Sequence, residues 1–451
     1  MHNNTLKTCD LLIKADHIIT MNGSLSIFSP GIVAIKKNKI INVNQFRDKE
    51  KENWKPRKFL DLKDHILMPG LINVHTHAGM TLFKGIEDDL PLHEWLNEQI
   101  FPIEKKFVDA EFVYLSTMLA IVQMLYTGTT TFVDMYYYEN EAARAVNENG
   151  IRALLGPGIL DFPTPDAQSN KKALMNAEKF LNQYTEHPRI SPIIAPHAPY
   201  TCSNKTLLTC KELAEAYDCL IHIHAQETKK ELEDSIKQYS KSPVERLMEL
   251  GLLRKKALLV HMVWLTKKDH ELLADVMPGI AYCPQSNMKL GSGIADIVTL
   301  KNMGLAIGLG TDSAVSNNSL DLFMEAKVAA LLQKLYHNEP SCIKAQEVIE
   351  FATSKAARAI SMEDKIGSIE KGKKADLISI AYNTSKDMPM YDVYSHIAYA
   401  CSGNMVKTVI VDGKIIIENG KFLNDPSIKL MEQWKKKARH IRSYLTKQKR
   451  P

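Results

Sequence analysis

Five short apolar runs, spread from residue 71 to residue 312, each end in a histidine or an acid. Ile66-Leu67-Met68 leads through a Pro69-Gly70 turn signal into Leu71-Ile72-Asn73-Val74-His75-Thr76-His77. Ile193-Ile194-Ala195-Pro196 ends in His197. Cys219-Leu220-Ile221-His222-Ile223 ends in His224, with Glu227 three residues on. Ala257-Leu258-Leu259-Val260 ends in His261, and Gly304 to Gly310 leads through Thr311 to Asp312. A closed parallel α/β barrel keeps its reactive groups at such C-terminal strand ends. That pattern confines the fold more tightly than any bulk property of the chain.

Strand signals lie near 71–77, 130–136, 151–158, 190–197, 219–226, 257–262, 279–284 and 305–311. Helical patterns fall between them, among them Ala110 to Tyr126, Lys205 to Tyr217, Pro243 to Leu250 and Leu320 to Lys334. Eight strand–helix alternations over 67–372 predict an α/β fold, a (β/α)8 TIM-type barrel. The competing doubly wound sheet needs a Gly-rich phosphate turn after an early strand, and none is present. Residues 9 to 65 and those from 375 read instead as short strands and turns, with a hairpin signal at Asp412-Gly413. Each flank alone is too small to bury a core. Residues 1–66 and 373–430 are therefore expected to form one small composite β-sandwich domain. Residues 431–451, with Lys435-Lys436-Lys437-Ala438-Arg439 and Lys447-Gln448-Lys449-Arg450, read as a basic helical tail with a solvated face and a frayed end.

A hydrophobic content of 45%, a charged content of 24% and a net charge of +5 over 451 residues are those of an ordinary globular protein. The basic residues lack interleaved aromatics, so no nucleic acid is expected as a partner. Seven scattered cysteines without a Cys-x-x-Cys argue for reduced thiols and a cytoplasmic protein. Met1-His2-Asn3-Asn4 opens no secretory segment, and no window is long and apolar enough to predict a membrane span.

Side chains at i and i+2 of a strand share a face, so His75 and His77 can grip one divalent ion. The pair alone is weak: with 15 histidines, chance supplies about 0.5 such pairs. A second pair indeed occurs at His222 and His224, and there His222 is read as a core or supporting residue. A lone strand-end histidine is more often a satisfied polar residue than a ligand. Asp312 could cap a following helix, and Glu227 could pair with Lys229 or Lys230. Co-occurrence at five strand ends shifts the reading to a catalytic metal site. The natural ligand set is His75, His77, His224 and Asp312. Zinc so held brings the pKa of a water towards ~7. Glu227 can then protonate a ring nitrogen, Asp312 can take the proton of the attacking water, and His261 can hydrogen-bond that water. Strand four ends in His197-Ala198-Pro199-Tyr200 with no lysine to bridge two ions, so one zinc per subunit is expected.

These segments resemble the amidohydrolase superfamily in its nucleobase-deaminating branch, over nearly the whole chain. They are most similar to the 5′-methylthioadenosine/S-adenosylhomocysteine deaminases. The resemblance is carried by Pro69 to His77, Leu92-His93-Glu94-Trp95-Leu96, Phe101-Pro102-Ile103-Glu104 and Pro196-His197-Ala198-Pro199-Tyr200-Thr201. It extends through His224-Ala225-Gln226-Glu227-Thr228, Cys283-Pro284-Gln285-Ser286-Asn287-Met288-Lys289-Leu290 and Gly310-Thr311-Asp312-Ser313-Ala314-Val315-Ser316-Asn317-Asn318. It implies zinc on His75, His77, His224 and Asp312, and Glu104 on the ribose 2′- and 3′-hydroxyls. It also implies His197 and Trp95 near the nucleoside, Glu227 at purine N1 and His261 beside the reacting water. Such barrels often pair, so a homodimer or tetramer is expected.

One region departs from the family pattern. Members that use S-adenosylhomocysteine well hold its carboxylate with arginines after strand three. Here Arg152 falls within the strand, no other arginine occurs until Arg189, and Phe162 with its flanking prolines suits an apolar thioether tail. The expected substrate is therefore 5′-methylthioadenosine, with the homocysteine conjugate poorer. The rivals are another amino-heterocycle (adenosine, guanine or a triazine) and, from another class, a non-enzymatic barrel stabilised by metal.

Overall fold

In the computed structural model, which describes residues 6–47, 51–86, 89–90, 92–382, 385 and 387–448, eight parallel strands close into a barrel. They are Leu71–Thr76, Thr129–Tyr136, Arg152–Ile159, the split fourth strand Ile190–Pro192 with Ala195–Pro196, Ile221–Ala225, Ala257–His261, Gly279–Tyr282 and Ala306–Leu309. The second and third are buried along their whole length, as parallel strands wrapped by helices must be. Ile72, Val74, Val133, Leu154, Ile193, Leu258, Val260 and Ala281 fill the interior, so the barrel is a packed core with no through-pore.

Hydrogen bonding divides the barrel into two arcs, strands one to four and five to eight. The seam between four and five is stitched by the Ile194–Ile221 bridge and by the His224 N–H donating to His197 O at 3.1 Å. At the seam between eight and one, a buried side chain stands in for a ladder. Asn73 accepts the Thr311 N–H at 3.0 Å and donates to Thr311 Oγ1 at 2.7 Å, while the Asp312 N–H reaches His75 O at 3.0 Å. Glycine is required on strand eight here. A Cβ on Gly308 would meet Val74 at 2.6 Å, and one on Gly310 would meet the Cβ of His75 at 2.8 Å.

The chain ends meet in a nine-stranded sheet. Lys7–Ile19 runs parallel to Trp54–Pro69, whose last residues pair antiparallel with Leu377–Ala381 from the far end of the sequence. The expected sandwich is thus one sheet curled over on itself. Its Lys37-Asn38 turn meets the Asp412-Gly413 turn, with Asn38 Nδ2 donating to Asp412 Oδ2 at 3.4 Å and the Ala375 N–H to Asn38 O at 3.0 Å. Arg152 fastens this sheet to the barrel: its Nε donates to Asp376 Oδ2 at 2.8 Å and an Nη to Asp412 Oδ1 at 3.2 Å, with Arg152 and Asp376 buried.

The C-terminal segment departs from the expectation of a solvated, frayed tail. Ser427–Gln448 is one helix that buries Leu430, Trp434 and Ile441, the Trp434 indole donating to Leu115 O at 2.9 Å. Phe107 sits edge-on to the rings of His440 and Tyr444. Apolar residues at 430, 434 and 441 share one face, which the surrounding lysines hide in the sequence. This face packs on the helix Ala110–Tyr126 and the turn Ala78–Phe83, while Ile441 joins the cluster of Trp95, Ile100 and Ile103 from Leu92–Glu94, the π-helical turn Trp95–Ile100 and Phe101–Phe107. Lys449-Arg450 and Met1-His2-Asn3-Asn4 lie outside the described residues, as does the side chain of His93. Among the described residues no single helix is long and apolar enough to cross a membrane.

Removing one partner of a buried ion pair strands the other. Arg152→Ala should therefore lower the unfolding free energy by about 3–5 kcal/mol, measured by denaturant titration, whereas the exposed pair Lys229–Glu233 should yield under about 1 kcal/mol.

Candidate active site

The C-terminal ends of strands one, five, six and eight converge. His75 Nε2 and His77 Nε2 each lie 3.3 Å from Asp312 Oδ1, and His224 Nε2 lies 3.2 Å from His75 Nε2. Ligand atoms of His75, His77 and Asp312 fall within 4.8 Å of one another, as do those of His75, His224 and His261. Burial depresses the basicity of the rings: His75 falls to about 4 and His224 well below its ordinary value. Asp312, although desolvated, is held well below the carboxylate range by His75, His77 and His261. The centre therefore presents neutral imidazoles beside a carboxylate.

What lies behind each ring sets its direction. His77 Nδ1 is 2.6 Å from Met135 O, and His224 Nδ1 is 2.7 Å from His197 O. A carbonyl accepts only, so both rings carry their proton on Nδ1 and turn a bare Nε2 inward. Bare nitrogens crowded beside a carboxylate form a donor set that fits a divalent cation. Asp312 is fixed in turn by Ser286 Oγ (2.6 Å) and the Ser313 N–H (2.7 Å). Asp134 accepts from Thr76 Oγ1 at 2.6 Å and from the Ala78 N–H at 2.7 Å, and so clamps the residues on both sides of His77.

Three of these strand ends adopt left-handed backbone without glycine: Gln226 at φ 52°, His261 at 76° and Asp312 at 59°. The turn at Gln226 aims Glu227 and is tied from two directions. The Gln226 side chain bonds Trp264 O, Asp269 Oδ2 (3.0 Å) and the Val244 N–H (3.1 Å). Glu231 accepts the N–H of Gln226 at 3.0 Å and of Glu227 at 2.9 Å. Glu227 then faces His261 Nε2 at 3.6 Å and takes a bond from Ser292 Oγ at 3.0 Å. Burial raises its pKa, so it keeps its proton to higher pH than an ordinary glutamate. His261 is braced at Nδ1 by Asn287 Oδ1 at 2.8 Å.

The same cavity runs from the histidines to a second carboxylate, Glu104. Glu104 is buried, accepts from the Tyr136 hydroxyl at 2.6 Å and is pushed up to about 7 by desolvation. Trp95 and His197 line the walls between. His197 is driven down to about 3 by burial and bonds Thr201 Oγ1 at 3.0 Å. Beyond Glu104 lies an outer chamber of about 1280 Å³ with Phe162, Pro163 and Leu96 in its wall, the rings of Phe101 and Phe162 meeting edge-on. Arg152 points away, into the sheet contact, and Arg189 donates to main-chain carbonyls. Among the described residues the cations of the outer chamber are Lys105 and Lys230 at its exposed rim, Lys230 paired with Asp234 at 2.8 Å.

Of the residues picked from the sequence, His77, Trp95, Glu104, His197, His224, Glu227, His261 and Asp312 thus border one cavity, and the fully buried His75 lies just behind it, against His224 and Asp312. The plainer readings find no place: Thr228 and not Glu227 caps the helix Lys229–Tyr239, and Asp321 and not Asp312 caps Leu322–His337. Lys229 and Lys230 pair with Glu233 and Asp234. Tyr136, Ser286, Asn287, Ser292 and Asp134 were not legible; Tyr136 reads as an apolar strand residue, and only a polar atom at a buried position hints at a task.

The amidohydrolase family profile matches residues 66–416. The chain belongs to the amidohydrolase family. A 5-methylthioadenosine/S-adenosylhomocysteine deaminase of Thermodesulfovibrio yellowstonii is 39% identical over 411 residues, 91% of this amidohydrolase and 94% of its own length. That of Aquifex aeolicus is 42% identical over 356 residues, 79% and 82% of the two chains. A solved adenosine deaminase from Xanthomonas campestris with bound zinc superposes at a TM-score of 0.95 with 34% identity, covering 97% of this chain and 100% of its own. An atrazine chlorohydrolase from Arthrobacter aurescens complexed with zinc shares the amidohydrolase fold at a TM-score of 0.87 and 19% identity, covering 95% and 100%.

Alanine at His75, His77, His224 or Asp312 should lower the metal content of purified protein, whereas Glu227→Gln and Glu104→Gln should leave it at the parent level. Elemental analysis against protein concentration measures this.

Proposed function

We propose that this amidohydrolase is a hydrolytic deaminase of adenine nucleosides that converts 5′-methylthioadenosine and water to 5′-methylthioinosine and ammonia, and that accepts S-adenosylhomocysteine less well. One observation carries the reading. A single cavity has a donor set for a divalent ion and the buried Glu227 at one end, and a carboxylate suited to a vicinal diol at the other.

His75, His77, His224 and Asp312 would hold one ion, proposed to be zinc, which supplies a nucleophilic water at neutral pH. Glu227 gives its proton to purine N1, which draws electrons from C6. Asp312 takes a proton from the attacking water and passes it to the 6-amino group. His261, steadied by Asn287, turns Nε2 toward the same water. The new C6–O bond forms, the C6–N bond breaks and ammonia leaves, while the proton left on the C6 hydroxyl returns to the Glu227 carboxylate as the C6 carbonyl forms. Glu104 accepts from the ribose hydroxyls while Tyr136 keeps the carboxylate in place. Differential protonation at N1 stabilises the transition state more than the ground state. A metal held only for stability has no use for an acid aimed into the cavity. Seven free thiols suit a reducing compartment.

Ammonia release from 5′-methylthioadenosine, metal-dependent and abolished in Glu227→Gln, is the test. Glu104→Gln should raise KM for nucleosides by about tenfold or more, the scale of one charge-assisted hydrogen bond. Release that survives Glu227→Gln, or a free base turned over as well as the nucleoside, would sink the assignment.

Around the 5′-substituent, a ligand carboxylate would meet, among the described residues, only rim lysines, and an exposed ion pair contributes under about 1 kcal/mol. kcat/KM should therefore favour 5′-methylthioadenosine over S-adenosylhomocysteine, by about tenfold for each 1.4 kcal/mol forfeited. A preference for the carboxylate-bearing nucleoside overturns this.

A further inference from the structure

The second His-x-His leaves one member without a task in the chemistry above. His222 is fully buried on strand five, two residues before His224 and on the same face. Its Nε2 lies 2.9 Å from His75 Nδ1. Its own Nδ1 has no hydrogen-bond partner among the described residues. Orphaned buried polar atoms are rare in native folds and call for a reason.

The backing of the three ligand histidines supplies one. His77 and His224 are held by main-chain carbonyls, which never change state. His75 alone is backed by a side chain. A neutral imidazole carries one proton. With that proton on Nε2, His75 cannot offer the atom to an ion. With it on Nδ1, the proton needs an acceptor, and the atom placed to accept it is His222 Nε2. His222 must then carry its own proton on Nδ1, where it meets nothing.

We propose that His222 is a positioning residue: it holds His75 in the Nδ1–H form and so keeps Nε2 bare for the metal. The proposal rests on the ligand reading given under the proposed function. The orphaned nitrogen is the consequence of this pairing and not a packing fault.

The test compares parent protein, His222→Leu and His222→Gln, each prepared metal-free and titrated with zinc against a competing chelator. Leucine fills the site without an acceptor, whereas a glutamine amide oxygen can reach the place of Nε2. The leucine variant should bind zinc about 10–100-fold more weakly, as for other lost supports of metal-bound histidine, and glutamine should regain most of that loss. Without metal, the leucine variant should melt no lower than the parent, because a buried unpaired N–H has gone. A merely structural role predicts the reverse. Equal zinc affinity in parent and leucine variant overturns the proposal, as does an equal loss in leucine and glutamine variants. A second readout needs no variant: in zinc-loaded protein labelled with 15N-histidine, His75 should show its proton on Nδ1, and a proton on Nε2 overturns the proposal even where the leucine variant fails to fold. A parent that binds no zinc would instead remove the ligand reading itself.

Discussion

The site depends on the seam where strand eight meets strand one. Asn73 and Thr311, separated by 238 residues in sequence, hydrogen-bond through side chain and main chain in a fully buried contact. That contact sets the register that carries Asp312 to within 3.3 Å of both His75 and His77. Glycine at 308 and 310 lets the two strands approach, since any side chain would strike Val74 or His75. Catalytic geometry and barrel closure are thus one constraint. A change that slackened the seam would move the carboxylate and the histidines apart before it unfolded the barrel.

The centre is costly to build. Backbone in the left-handed region at three non-glycine residues costs on the order of 1–3 kcal/mol each, and burying polar rings without full hydrogen bonding adds to that. These costs fall at Gln226, His261 and Asp312, all beside the cavity. The surroundings offset them with directed contacts. Gln226 is held by its own side chain and by Glu231, Asp312 by two serines, and His261 by Asn287. Binding a cation would relieve the crowding of nitrogen lone pairs, so a metal would stabilise the folded state at this centre.

Much of this was legible in the sequence because strand ends leave a local mark. An apolar run that stops at a histidine or an acid identifies both the barrel strand and the residue facing the cavity, as at His75, His224, His261 and Asp312. Local pattern fails where a contact is made across the fold. Tyr136 sits in a run of tyrosines that looks like core, yet its hydroxyl is what Glu104 leans on. Ser292 and Asn287 follow strand seven in a stretch with no apolar period, and their partners Glu227 and His261 lie on other strands. The C-terminal helix misled for a different reason: five lysines and two arginines outnumber its three buried apolar positions, and that face vanishes in a basic average.

The distribution of arginine bears on substrate selection as strongly as the residues inside the cavity. Arg152 begins strand three, close in sequence to the loop that walls the outer chamber, yet its guanidinium is turned to the opposite end of the strand and consumed by Asp376 and Asp412. Arg189 is likewise spent on the carbonyls of Val146, Ile151 and Asn147. Both arginines secure the composite sheet and the helix–strand joints on the far side of the barrel. Neither can turn toward the chamber without abandoning buried partners, which would cost more than an anionic ligand could return. Phe101, Phe162 and Pro163 supply an apolar part of the chamber's wall, and no arginine lines it among the described residues. On the proposed reading an apolar 5′-substituent would be favoured, because the arginines on either side of this loop in sequence are already committed to holding the two halves of the chain together.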